Sequence, residues 1–346
     1  MVIHILQNEI YLLALLSAFI IGGIVKSQGY FLQLYNWLAS HCGSNKVILF
    51  ILSTICGILP IEGRVTVGVP FLDSITHDNH SKSNIGIINY LATHHYYFWS
   101  PIEPSVLIFL TALGLSWTTF IWLTLPILLT YFTFLFVFMM FVIKKEEIIF
   151  DIPNNINTNP QSWICGLILI SSLVLTIILE TVYNIDTSLQ WVFPITSVLL
   201  ILLSKIPFKQ WFGYINWKIL AAVSIIIALG TIVKSYNNEI LLFVKTGPNI
   251  VVMLWLGFIA AFIMGSSSKY AGIGALIAVA IGNISYLPLI LVIEYVGYIL
   301  SPTHKCVGIS VMAFKTRIID FYIVLVLLSI CLVTSAIIPL IYQIRW

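Results

Sequence analysis

Apolar runs of roughly 17–25 residues, long enough to cross about 30 Å of hydrocarbon, recur along the whole chain. Short polar breaks rich in proline or glycine separate them. The pattern predicts helices near 2–25, 46–60, 84–98, 104–120 and 121–143. Further helices are expected near 162–182, 189–206, 215–235, 248–264, 270–287, 288–300 and 318–341. A short amphipathic stretch at 30–40 reads as an interfacial or linking segment. The expected class is an all-α polytopic membrane protein with about ten transmembrane segments, some of them half-length or re-entrant.

Composition agrees with this pattern. Only 8% of the 346 residues are charged and 60% are hydrophobic, against about 25% charged in an ordinary soluble domain. Mean hydropathy is +1.05. So few charges cannot cover a water-facing surface, so the expected main partner is the lipid bilayer. The net charge of +3 comes without a basic block, so nucleic acid is not an expected partner. Cys42, Cys56, Cys165, Cys306 and Cys331 are scattered and form no CxxC pair, which points to neither a disulfide framework nor a zinc knuckle. The N-terminus lacks the basic start and cleavage site of a signal peptide, and is expected to be the first membrane helix. Lys205, Lys209 and Lys218 are the one local basic excess and place their loop weakly in the cytoplasm.

The most polar stretch runs from Lys144-Lys145-Glu146-Glu147 to Asn159-Pro160. It divides the chain into an N-terminal repeat (1–143), a polar linker (144–161) and a C-terminal repeat (162–346). The halves share short matches in the same order. Gly23-Ile24-Val25-Lys26-Ser27 returns 208 residues later as Thr231-Ile232-Val233-Lys234-Ser235. Trp99-Ser100-Pro101-Ile102-Glu103-Pro104 returns 201 residues later as Leu300-Ser301-Pro302-Thr303-His304-Lys305. Two collinear matches favour duplication, and halves with an odd number of spans must be inverted. Interrupted segments at corresponding positions are the best sequence pointer to a transporter's binding site.

Candidate chemistry gathers at these interruptions. In Leu59-Pro60-Ile61-Glu62-Gly63-Arg64 a helix meets proline and glycine, which remove a donor and permit a reversal. Unwound backbone at membrane depth must be buried in protein or line a polar cavity, and Glu62 and Arg64 sit at the break. In Asn89 to Pro104, Pro101 and Pro104 bracket Glu103, with Asn89, His94 and His95 upstream. The tyrosines and Trp99 there also read as an interfacial aromatic belt. Gly265-Ser266-Ser267-Ser268 suits a re-entrant tip whose hydroxyls and amides meet an anion; a plain polar turn is the alternative. In the segment Glu294 to Cys306, His304 is a proton-exchange candidate. Lys305 would pair with Glu294, meet a substrate carboxylate or snorkel to a headgroup. His77 and His80 share a metal-like spacing in a polar loop that more often is solvated. There is no nucleotide-binding glycine loop, HExxH or nucleophile elbow.

On Leu59-Pro60-Ile61-Glu62-Gly63, Ile88-Asn89-Tyr90 and Tyr298-Ile299-Leu300-Ser301-Pro302-Thr303-His304-Lys305-Cys306, the chain resembles a family of prokaryotic integral membrane proteins of unknown function. That family lies within the ion-transporter superfamily of gluconate, citrate and arsenite permeases and sodium/proton antiporters. The resemblance implies two inverted repeats, each with a re-entrant hairpin and a broken helix, beside a scaffold that dimerises. It implies the prokaryotic inner (cytoplasmic) membrane, small anionic solutes, and a sodium ion or a proton as coupling ion.

The expected function is ion-gradient-driven secondary transport by symport or antiport, not enzymatic catalysis. The expected site comprises Glu62, Arg64, Asn89, Glu103, Ser266, Ser267, Ser301 and His304. Arg64 and the hairpin amides would face the anion; Glu62, Glu103 or His304 would carry the proton, or the carboxylates a sodium ion. No cofactor and no bound metal are expected. Two rivals stand beside this reading: a non-transporting subunit of a larger membrane complex, and a membrane-embedded enzyme with a metal on His94, His95 and Glu103.

Overall fold

A computed structural model describes residues 45–58, 79–101, 103–142, 188–215, 250–265 and 267–343, with single residues and short runs among 13–41, 164–185 and 217–224. Glu62, Arg64, Ser266, the loop around His77 and the polar linker lie outside the described residues, as do most of the spans expected at 2–25, 162–182 and 215–235.

The described residues are helical, with no strand among them. The α-helices run in chain order as α1 (Asn45–Ile58), α2 (Asn79–Ala92), α3 (Pro104–Leu113), α4 (Trp117–Val142), α5 (Ser188–Ser204) and α6 (Phe208–Tyr214). They continue as α7 (Ile250–Met264), α8 (Ser267–Ile281), α9 (Leu287–Leu300), α10 (Lys305–Ala313) and α11 (Ile318–Gln343). Short 3₁₀ turns occupy His95–Phe98 and Ile284–Tyr286.

Most expected helices are present, with changed ends. The run 84–98 is not one helix: α2 stops at Ala92 and a 3₁₀ turn follows. The boundary expected at 120/121 lies instead at Gly114, which takes a left-handed conformation (φ 67°) and returns its N–H to Leu110 O. A new helix then opens where Ser116 Oγ accepts the Thr119 N–H at 3.2 Å. Gly114 and Ser116 are thus the C-cap glycine and the N-cap serine of a corner between two apolar helices.

Two described helices, Trp117–Val142 and Ile318–Ile338, are long and apolar enough to cross a membrane. The segments Ile284–Leu300 and Lys305–Ala313 pass the same test together but bend by 46° at the break between them. Trp122 and Phe141 on α4, Trp255 and Ile263 on α7, and Ile319 and Ile330 on α11 are exposed, as side chains facing lipid would be.

The chain divides into two compact units, each discontinuous in sequence. The first holds Met1–His94, Val137–Leu220 and Ile309–Arg317. In it α1 packs on α2, and Gly86 of α2 lets the Phe314 ring approach closely. The second holds His95–Phe136, Ala221–Gly308 and Ile318–Trp346. There α9 packs between α7, α8 and α11, while α8 also packs on α3.

Candidate functional site

In the second unit, two chain breaks meet. The first is the turn between α7 and α8. Gly265 there has φ 54°, a conformation cheap only for glycine, and its N–H bonds Ala261 O at 3.0 Å. The second is the Ser301-Pro302-Thr303-His304 bend between α9 and α10. Proline cannot continue the helical ladder, so α9 ends at Leu300, and the Ser301 N–H turns back to Tyr298 O at 3.2 Å.

Hydroxyl groups join the two breaks. The last carbonyls of a helix have no partner within it. Ser301 Oγ donates to Phe262 O at 2.5 Å, and Thr303 Oγ1 donates to Ile263 O at 3.2 Å. The two hydroxyls lie 2.8 Å apart. A side chain on Gly265 would collide with Thr303 Oγ1 and lie 2.9 Å from the Thr303 carbonyl carbon.

The bend at Ser301 has a counterpart in the same unit. After the 3₁₀ turn His95–Phe98, Ser100-Pro101 leads to Glu103 and then into α3, with Pro104 in its first turn. The Glu103 N–H bonds Ser100 O at 3.1 Å, and 201 residues later the His304 N–H bonds Ser301 O at 3.2 Å. Glu103 and His304 therefore close equivalent turns, and both are buried, at 1% and 3% exposure. Ser105 Oγ donates to Glu103 Oε1 at 3.3 Å. The His304 ring lies 4.0 Å from the Tyr298 ring, centroid to centroid.

A buried tyrosine cluster links these turns. Tyr97 donates its hydroxyl to Tyr298 at 2.6 Å, and the hydroxyls of Tyr131 and Tyr295 are 3.0 Å apart. The Tyr97 ring packs on Tyr295 as well, and Tyr270 of α8 on Tyr298. These tyrosines are interior, at 5% exposure or less, so the interfacial-belt reading of Tyr97 is corrected: its ring packs inside its unit and its hydroxyl is bonded there.

The candidates from sequence are distributed as follows. Glu103, Ser301 and His304 fall in the second unit; Ser267 opens α8 there as part of the hairpin tip. Asn89 is fully buried on α2 of the first unit. In that unit His94 donates from Nδ1 to Tyr90 O at 2.7 Å and stacks on the Tyr90 ring. His95, in the second unit, accepts the Trp99 indole N–H at 2.8 Å.

Glu294 is the residue that sequence reasoning undervalued. It lies mid-helix in α9 at 1% exposure, and neither carboxyl oxygen has a hydrogen-bond partner among the described residues. Lys305 is exposed and does not pair with it, which corrects that expectation: the bend at Ser301 starts a new helix and separates the two side chains. A cavity of about 440 Å³ opens elsewhere, lined by Ala112, Ala278, Gly282 and Asn283 among others. None of the candidate residues lines it.

The chain belongs to a family of proteins of unknown function, DUF401, whose model matches residues 4–344. No curated protein matches the chain.

Proposed function

We propose that the protein is an integral protein of the prokaryotic cytoplasmic membrane and a secondary transporter of a small anionic solute. An imposed sodium or proton gradient drives it, and solute passes by alternating access around the paired broken segments. The observation that carries this reading is the docking of the α7–α8 turn onto the α9–α10 bend through Ser301 and Thr303. Non-helical backbone within apolar sequence is stable only against protein or around a polar cavity, and such breaks are where transporters bind solute.

A second observation supports a duplicated chain, which this reading takes as two inverted repeats of about five spans each. Tyr97 and Tyr298, which share a hydrogen bond, are separated by 201 residues, the same offset that relates the two Ser-Pro motifs. Residues equivalent by duplication that touch each other lie on the axis relating the repeats. The resemblance to the ion-transporter superfamily adds the expectation of a homodimer. In this reading the hairpin amides at the start of α8 face the anion, and Arg64, Asn89, Ser266, Ser267 and Ser301 remain the candidate binding residues. Glu62, Glu103 or His304 exchanges the coupling ion.

Thr303→Cys, in a chain whose native cysteines are replaced by serine, tests whether this junction lines a path. The protein is reconstituted in vesicles and exposed to a membrane-impermeant maleimide. The expected result is labelling whose rate changes when a sodium or proton gradient is imposed. A rate indifferent to every gradient would place the junction off the path.

A further inference from the structure

We propose that Glu294 is an exchangeable proton site in the second unit, and that its proton is coupled to transport, beside the coupling-ion candidates Glu62, Glu103 and His304. The coupling role rests on the transport reading; the proton site rests on packing alone. Glu294 is an acid in the otherwise apolar run Leu287–Leu300. Ionisable groups inside membrane segments are costly and mark ion or proton paths. Here the cost is accepted at a fully enclosed position, 1% exposed, with no hydrogen-bond donor on either oxygen among the described residues.

The neighbouring helices are shaped around this carboxyl. The space a side chain at Gly274 of α8 would fill is occupied by the carboxyl group of Glu294. Across from it, a methyl group added at Gly257 of α7 would lie 3.4 Å from Glu294 Cγ and 3.3 Å from Ile277 Cδ1. Two glycines on two different helices thus form a nook for one acid. A lone ionised carboxylate in such a nook is strongly disfavoured. A proton makes the group neutral and needs no further ligand. A hard metal cation needs several oxygen ligands, whereas this nook is built from glycine and Ile277.

The surrounding titratable groups fit a relay. Helix α7 carries none, α8 carries Lys269 and Tyr270, α11 carries Asp320, Tyr322, Cys331 and Tyr342, and α9 itself carries Tyr295 and Tyr298. Of these, Tyr270 lies four residues, about one turn, before Gly274 on α8. Its ring packs on Tyr298, whose ring packs on His304. The cluster therefore runs from the turn of α9 that follows Glu294 to the Ser301–His304 bend. In the step itself the neutral carboxyl group gives its proton to a water molecule and becomes a carboxylate, and it is reset by taking one proton from hydronium.

The test uses the full chain in vesicles treated with dicyclohexylcarbodiimide in sodium-free buffer, followed by peptide mass spectrometry. This reagent modifies carboxyl groups that carry a proton and sit in apolar surroundings. The expected result is an adduct on Glu294 in several-fold excess over Glu103, absent from that peptide in Glu294→Gln and unchanged by added sodium. No adduct on Glu294, or one suppressed by sodium, would overturn the proposal. A flux assay separates the two claims. Proton-driven uptake by the wild type that is lost in a folded Glu294→Gln variant supports coupling. Labelling of Glu294 without uptake of any solute would sink the transport reading and leave the proton site standing. Uptake that survives in Glu294→Gln would overturn the coupling role.

Discussion

Gly265→Val is expected to lower the thermal unfolding midpoint of the detergent-solubilised protein and to undo the junction between the two breaks. Two penalties coincide at this residue. Its φ of 54° lies in the left-handed region, which costs an L-residue roughly 1–2 kcal/mol and a β-branched one more. The new side chain would also meet Thr303, including its backbone carbonyl carbon at 2.9 Å from the Cβ position. Relief requires moving the α7–α8 turn away from the bend, which breaks the bonds from Ser301 and Thr303 to the α7 carbonyls. Gly265→Ala should show the same loss in milder form. Gly213→Ala is the control, because nothing lies within 4 Å of its Cβ position. An unchanged midpoint in Gly265→Val would mean that the two breaks are not joined as described.

Gly297→Val is expected to destabilise the second unit by about 1–3 kcal/mol, the range for forcing extra volume into close packing. Helix α9 crosses α7 at Gly297, where an added Cβ would stand 2.5 Å from Phe258 O and 3.1 Å from Ala261 Cβ. The first of these contacts is with backbone, so no side-chain rotation relieves it. Small residues let helices approach closely where lipid supplies no hydrophobic drive between them. Separating α7 from α9 would also open the nook around Glu294. The check is the unfolding midpoint of purified Gly297→Val beside Gly297→Ala, with the alanine variant falling between wild type and valine. Equal midpoints for all three would remove this crossing from the account.

The helical character and most helix positions were legible in the sequence because apolar run length and proline or glycine punctuation are local signals. The Ser301-Pro302 bend and the Gly265 turn were both readable in this way. The corner at Gly114 is signalled only by Gly114 and Ser116, two cap residues that the long apolar stretches on either side outweigh in a reading by run length. Tyr97 read equally well as an interfacial ring, because a tyrosine suits either place; its partner Tyr298 follows from the repeat offset once the pairing is sought. Glu294 is visible as an acid in an apolar run, but the sequence offers pairing with Lys305 as only one of three readings of that lysine and gives the acid no site of its own. What marks it in space is the pair of glycines on α7 and α8, and their convergence on one carboxyl is not encoded in any local spacing.

The central claim is transport, and the most direct measurement is solute uptake into proteoliposomes under an imposed sodium or proton gradient. Small carboxylates and inorganic anions form the panel, with Glu62→Gln and His304→Ala reconstituted alongside the wild type. The account predicts gradient-driven accumulation of at least one anion by the wild type and its loss in both variants. Folded wild-type protein that accumulates none of the panel under either gradient would contradict it.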